Sequence, residues 1–138
     1  MIDYITVGAD DMARAKRFYG AFLPALGYGF EEGPEGLSYE LPVEPGQTIV
    51  PPAFYVKPPF DGQPASAGNG AMVAFKAASQ AQVRALHAAA IRAGGSNEGD
   101  PGFRDSYGAQ FYVCYLRDPQ GNKIALFSNN PDEPGRDG

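Results

Sequence analysis

Arg117-Asp118-Pro119-Gln120-Gly121-Asn122-Lys123-Ile124-Ala125-Leu126-Phe127 reads as a tight hairpin feeding a strand, and the rest of the chain is best understood outward from it. Asp118 can bond its own backbone, Pro119 presets φ for a type I turn, and Gly121 supplies the positive-φ position. Apolar-rich runs on both sides, Phe111 to Leu116 and Ile124 to Phe127, complete the signal. A type I turn with a glycine bulge pairs Asp118 with Asn122, which sets Tyr115 opposite Ala125 and Val113 opposite Phe127. Tyr115 and Ala125 then share one face of the sheet.

The same strand chemistry occurs twice. Near the start, Ile5 and Val7 alternate with Tyr4 and Thr6, so one face is buried and the other is free. A helix follows, N-capped by Asp10 or Asp11, with an apolar stripe through Met12, Ala15, Phe18, Tyr19, Phe22, Leu23 and Leu26. Pro24 kinks or ends its last turn, and Gly27 stops it. A shift of 68 residues lays Tyr4 on Met72, Ile5 on Val73, Val7 on Phe75, Asp11 on Ser79, Phe18 on Leu86 and Gly27 on Gly95. Short strands follow each helix, at Tyr28 to Glu31, Leu37 to Leu41 and Ala53 to Lys57 in the first copy. In the second they fall at Phe111 to Leu116 and Lys123 to Phe127, with an extra short strand near Ser96 to Gly99.

The expected fold is therefore α+β, with two βαβββ modules forming a curved mixed sheet, a half-open barrel, around one cavity. One domain spans 1–128, as module one (1–57), a linker (58–69) and module two (70–128). The linker is dense in Pro, Gly and Ser and reads as a connector or a mobile lid. Residues 129–138 are expected to be a disordered tail.

Composition bounds the function. The chain has 138 residues with 43% hydrophobic and 20% charged content, enough for one sizeable core. A net charge of -5 disfavours nucleic acid and anionic membrane surfaces, which require clustered Lys and Arg. No apolar run reaches transmembrane length, and Met1-Ile2-Asp3-Tyr4 enters a strand directly rather than a basic leader, so a cytoplasmic location is expected. The lone cysteine, Cys114, lies within a strand with no nearby histidine and reads as packing.

Four segments, taken in order, resemble the vicinal oxygen chelate superfamily, which includes glyoxalase I, extradiol dioxygenases, fosfomycin-resistance proteins and bleomycin-binding proteins. They are Met1-Ile2-Asp3-Tyr4, Asp11-Met12-Ala13-Arg14-Ala15-Lys16-Arg17-Phe18-Tyr19, Met72-Val73-Ala74-Phe75 and Arg117-Asp118-Pro119-Gln120-Gly121-Asn122. The resemblance implies a glyoxalase-like fold. In its metal-dependent members the positions of Tyr4 and Met72 are usually histidine and that of Ala125 usually glutamate, converging on one divalent ion. A divalent site needs several His, Cys or carboxylate donors at about 2.0 to 2.6 Å from one point. The three residues here do not supply them. His87, the only histidine, falls mid-helix on the side away from the cavity, and Glu31, Glu32 and Glu35 fall in a turn-rich acidic loop. No metal and no cofactor are expected.

The residues expected to face the cavity are Tyr4, Thr6, Met72 and Ala74, joined by Tyr115, Ala125 and Phe127, with Tyr39, Phe54 and Tyr55 as candidates to extend the lining. Two readings stay open: an aromatic and apolar lining for an organic ligand, or Tyr4 and Met72 as core that plugs the former metal position. Arg104, in Pro101-Gly102-Phe103-Arg104-Asp105-Ser106-Tyr107, either binds a carboxylate or phosphate of the ligand or pairs with Asp105 or Asp118. The expected function is metal-free binding of a small organic molecule by a homodimer. The alternatives are a divergent lyase or dioxygenase, using substitute ligands or Tyr4 as acid or base, and a dimerisation module with a filled cavity.

Overall fold

The computed structural model describes all residues, Met1 to Gly138. Eight strands and two α-helices run in the order β1 (Tyr4–Gly8), α1 (Met12–Gly20), β2 (Gly29–Gly33), β3 (Gly36–Glu40), β4 (Ala53–Lys57), β5 (Val73–Lys76), α2 (Gln80–Arg92), β6 (Ser96–Phe103), β7 (Tyr112–Arg117) and β8 (Lys123–Ser128). The strands form two four-stranded sheets, ordered β1-β4-β3-β2 and β5-β8-β7-β6. The second order is the first with four added to each strand. In each sheet the first strand runs parallel to the last of its module and the remaining pairs are antiparallel. The expected α+β fold of two βαβββ modules is thus present, and neither sheet closes on itself.

The repeat extends to the caps. Asp11 accepts from the Arg14 backbone N–H at 3.0 Å and Ser79 accepts from that of Gln82 at 3.0 Å, the two capping side chains standing at equivalent repeat positions. The first helix is shorter than its apolar stripe suggested. It ends at Gly20, and a single 3-10 turn, Pro24–Leu26, continues the stripe to Gly27, whose φ of 97° is left-handed. Pro24 cannot donate to an α-helical ladder, so the stripe is carried by two pieces with different hydrogen bonding.

Both helices cover the same side of their sheets, and the two cores merge. Phe75 on β5 meets Phe54 on β4 at 5.1 Å, Phe22 at 5.9 Å and Tyr28 at 5.8 Å between ring centroids. One cluster of 20 buried residues results. Burying it supplies most of the stabilisation available to a chain of this size.

A polar joint sits where the modules meet. Asp118, 4% exposed, accepts the Tyr19 hydroxyl at 2.5 Å and the Asn122 side-chain amide at 2.9 Å through Oδ2. Its Oδ1 accepts the backbone N–H groups of Gln120 and Asn122, both at 2.9 Å. Asn122 Nδ2 also donates to the Gly8 carbonyl at 2.8 Å. The hairpin turn is therefore tied to β1 and α1 of the other module. Beside it, Gly95 has room for no side chain: a Cβ would stand 2.6 Å from Phe18 Cε1 and 3.0 Å from the Ala90 carbonyl.

Two segments outside the regular elements are tied to the body. In residues 129–138, Arg136 donates its backbone N–H to the Ala109 carbonyl at 2.7 Å, and Gln110 Nε2 donates to the carbonyls of Asn130 and Glu133 at 3.1 and 3.0 Å, so these backbone groups of the tail are satisfied by the body. The segment between the modules is clipped at Ala65, whose N–H donates to Asp10 Oδ1 at 2.8 Å and whose carbonyl accepts from Gln120 Nε2 at 3.2 Å.

Candidate functional site

Each sheet has one face against the core and one face free, and strand alternation decides which side chains reach the free face. On the first sheet the register Tyr4↔Ala53, Thr6↔Tyr55 and Ser38↔Tyr55 puts Tyr4, Thr6, Ser38 and Tyr55 together, opposite the buried Phe54, Val56, Leu37 and Tyr39. The rings of Tyr4 and Tyr55 meet at 5.4 Å. Lys57 stands 4.9 Å from the Tyr55 ring centre and pairs with Glu35 at 3.6 Å. A cleft of about 550 Å³ lies here, with Glu31, Glu35 and Lys57 at its rim.

On the second sheet the hairpin register is the expected one, Tyr115↔Ala125 and Val113↔Phe127, with Ala74 beside Ala125. Ala125 is 1% exposed. Phe111 covers Phe127 at 5.1 Å, and Tyr107 packs edge-on to Phe111 at 5.7 Å. A second cleft, about 360 Å³, is lined by Met72, Arg104, Ser106, Tyr107, Tyr115 and Lys123. Burial, and then the neighbouring Tyr107 phenol, push the Tyr115 hydroxyl up from its ordinary range.

The sequence-derived set is therefore divided. Tyr4 and Thr6 stand on the first face, while Met72, Ala74, Arg104, Tyr115, Ala125 and Phe127 stand on the second, and Tyr4 and Met72 line different clefts. Neither is core: Tyr4 is 58% and Met72 46% exposed. Arg104 pairs with neither Asp105 nor Asp118; its Nη2 donates to the Asp100 carbonyl at 2.8 Å and its Nη1 to that of Phe103 at 3.2 Å. Sequence reasoning did not single out Lys123, Tyr107 or Ser106 as lining residues. Lys123 was within reach, since it lies two positions from Ala125 on one strand and so shares its face. Of the candidates to extend the lining, only Tyr55 lies in a cleft; Tyr39 and Phe54 point into the core, because strand alternation sends them to the helix side.

The donor set does not suit the divalent ion that the resemblance implies. Tyr4, Met72 and Ala125 offer a phenol, a thioether and a methyl group, and no group of three or more His, Cys, Asp or Glu side chains is placed to hold an ion. His87 is bonded to Asn97 Oδ1 at 3.0 Å. Cys114 is buried, with its thiol pushed up to about 11 by that burial, which removes the thiolate a nucleophile needs.

Comparison with solved structures places this architecture. A glyoxalase/bleomycin resistance protein from Albidiferax ferrireducens T118 is 38% identical, with a TM-score of 0.77 over 93% of this chain and 98% of that one. The chain belongs to the glyoxalase/bleomycin resistance protein family. Further glyoxalase-like structures share its fold at lower identity. A glyoxalase-related enzyme from Fulvimarina pelagi is 19% identical with a TM-score of 0.66, covering 95% of this chain and 88% of that one. A glyoxalase/bleomycin resistance protein/dioxygenase family enzyme from Burkholderia phytofirmans PsJN is 16% identical with a TM-score of 0.64, covering 93% and 98%. No family model and no curated protein matches the chain. As a glyoxalase/bleomycin resistance family member it keeps the vicinal oxygen chelate scaffold with aromatic and aliphatic side chains at positions where the resemblance implies ligands. No helix is long and apolar enough to cross a membrane.

Proposed function

We propose that this family member binds a small organic molecule on its free sheet faces, without a metal ion at Tyr4, Met72 and Ala125. The observation that carries this reading is the floor of the second face. There Ala125, flanked by Ala74 and Tyr115 in the register, replaces a donor with a buried methyl group. Aromatic rings with hydroxyl tips suit an organic ligand held by stacking and a few hydrogen bonds. The protein is read as cytoplasmic, in keeping with its one free cysteine.

The test is a calorimetric or tyrosine-fluorescence titration against a panel of aromatic ligands, the chain having no tryptophan. Elemental analysis of protein purified without chelator accompanies it. Saturable binding with sub-stoichiometric metal supports the reading, and stoichiometric Fe, Mn, Ni or Zn refutes it. Catalysis by Tyr4 as acid or base is a weaker reading, since its ring packs at a tilt against Tyr55 and the nearby Lys57 sits over Tyr55. A phenol acting near neutral pH needs such a cation beside its own oxygen.

Self-association is the second reading, favoured by the exposure of Tyr4 and Met72 on the faces and of Val43, Ile49 and Val50 in the loop before β4. Large apolar groups left exposed on a surface are the kind of residue that an interface covers. Analytical ultracentrifugation of the whole chain decides between monomer and homodimer.

A further inference from the structure

In a chain with 16 acidic and 11 basic residues, two cations stand over one phenol ring with no carboxylate partner. The Arg104 guanidinium lies 5.5 Å and the Lys123 ammonium 5.1 Å from the Tyr115 ring centre. The four ion pairs of the molecule, Lys16–Glu32, Lys57–Glu35, Arg117–Glu98 and Arg136–Asp137, include neither. Glu98 feels Lys123, but its own carboxylate is committed to Arg117 at 2.7 Å, the first cause of its lowered pKa. Both line one cleft with no carboxylate in ion-pairing contact, so the cleft offers its positive charge to an anion from outside.

The surrounding structure is built to hold the guanidinium there. The β6–β7 register is broken between Asn97 and Gly99 and again between Gly99 and Gly102, irregularities that re-aim side chains at a sheet edge. At Gly99 a Cβ would stand 3.0 Å from the Tyr115 ring and 3.1 Å from Arg104 Nη2. A side chain at 99 would therefore push the guanidinium off the ring. Arg104 spends two N–H groups on the Asp100 and Phe103 carbonyls, which leaves three of its five donors. The loop behind it is fixed by the C-terminal segment: Arg136 Nη1 donates to the carbonyls of Arg104 at 3.0 Å and Tyr107 at 2.8 Å. The tail thus orders the segment that brings Arg104, Ser106 and Tyr107 to the cleft.

We propose that the cleft bounded by Met72, Arg104, Ser106, Tyr107, Tyr115 and Lys123 is an anion subsite, taking the carboxylate or phosphate of a small ligand whose flat apolar part lies against Met72 and Tyr107. This assignment rests on the binding function proposed above and adds the charge class of the ligand. A guanidinium matches either oxyanion with two parallel N–H donors, and the ammonium adds a compact second charge. Ser106 and the two phenols supply neutral donors for the remaining oxygens.

The experiment titrates the full chain with benzoate, phenyl phosphate, benzyl alcohol and benzylamine, followed by ¹H–¹⁵N NMR, with inorganic phosphate as a separate arm. The anions are expected to bind at least about ten-fold tighter than the neutral alcohol, the scale of a charge-assisted hydrogen bond. Their shifts should centre on residues 104–107 and 115. Benzoate against phenyl phosphate tells which oxyanion the site prefers. Lys123→Met should lower the ratio of anion to benzyl alcohol affinity about ten-fold or more, and Arg104→Met should do the same where its amide spectrum shows β6 intact. Equal affinity for benzyl alcohol or benzylamine overturns the anion assignment and leaves organic binding standing. Failure of all four probes and of the wider aromatic panel overturns both. If Lys123→Met instead weakens self-association without changing anion affinity, the cations serve the acidic first face of a second copy, and the subsite is refuted.

Discussion

Replacing Tyr19 with Phe should reveal how much of the molecule hangs on the joint between the modules. The ring of Tyr19 is fully buried and packs on Phe18, Phe22 and Phe54 at 4.8, 5.8 and 5.2 Å, so Phe keeps nearly all of the apolar contact. Only the hydroxyl is lost, and with it the 2.5 Å hydrogen bond to Asp118 Oδ2. A hydrogen bond to a charged group is worth about 1.5 to 3 kcal/mol. Oδ2 retains the Asn122 amide at 2.9 Å, which limits the desolvation left behind, so we expect a loss of about 2 kcal/mol. For a chain of this length that corresponds to a fall in Tm of roughly 6 to 8 °C. Urea denaturation should show an unchanged slope with a lower midpoint. In an Asp118→Ala background the same Tyr19→Phe change should cost far less, because the hydroxyl has already lost its acceptor. A loss below about 0.5 kcal/mol in the native background, or full additivity with Asp118→Ala, would show that the joint does not couple the modules in the way the geometry implies.

Three further changes follow from the core. The Tyr39 hydroxyl is buried without a hydrogen-bond partner, so Tyr39→Phe should stabilise the protein by about 1 kcal/mol, read from the urea midpoint; destabilisation would mean that the hydroxyl has a partner in solution. Gly95→Ala forces a methyl group against Phe18 and the Ala90 carbonyl and should cost about 1 to 3 kcal/mol, whereas Gly20→Ala, which meets nothing within 4 Å, should be harmless or stabilising. Alkali should destabilise the fold through the buried thiol and the phenols whose pKa is raised on folding, of which Cys114 and Tyr39 titrate within reach. Burial raises the Cys114 thiol to about 11 and, with the Glu32 charge, the Tyr39 phenol to about 12. A group whose pKa is raised on folding contributes stability that is intact below its unfolded pKa and lost as pH climbs through the folded value. Stability should therefore be flat for these groups below pH 9 and decline between about 9 and 12. Tyr39→Phe should make that decline shallower above about pH 10, with Tyr19, Tyr28 and Tyr115 still contributing, and an unchanged alkaline profile would count against the burial assigned to the phenol.

How much of this was legible in the sequence depends on the range of the interaction that decides each feature. The hairpin at Asp118 to Asn122 was readable because turn chemistry is local, and its register fixed Tyr115 opposite Ala125 without further information. A cap at Asp10 or Asp11 and the repeat that lays Asp11 on Ser79 were readable for the same reason, and the folded chain uses Asp11 and Ser79 as the two caps. The family resemblance followed from those local segments in order. What local pattern could not show was the meeting of the two cores at Phe75, which turns the helical sides inward together and leaves Tyr4 and Met72 on separate clefts. Nor could it show that Arg136 secures the loop carrying Arg104. A polar, Pro-containing terminus looks the same in sequence whether its backbone is solvated or bonded to a neighbouring loop. Only the carbonyls waiting at Arg104, Tyr107 and Ala109 distinguish the two.

The arrangement also explains how the fold accommodates Tyr4, Met72 and Ala125 at positions where the resemblance implies metal ligands. Strand alternation sends Tyr4, Met72 and Ala125 to the side opposite the residues that bury Phe54, Phe75 and Leu126. The joint through Tyr19, Asp118, Asn122 and the Gly8 carbonyl uses the turn and the first helix, not the free faces. Substitutions on the free side therefore change chemistry at little cost to packing, provided they leave the strand backbone alone. Ala125 is the exception, being closed over, so a carboxylate there would have to be desolvated or force its neighbours aside. The exposed positions carry no such packing requirement. That makes the two unpaired cations above Tyr115 more informative than any buried residue, since no requirement of the core accounts for them.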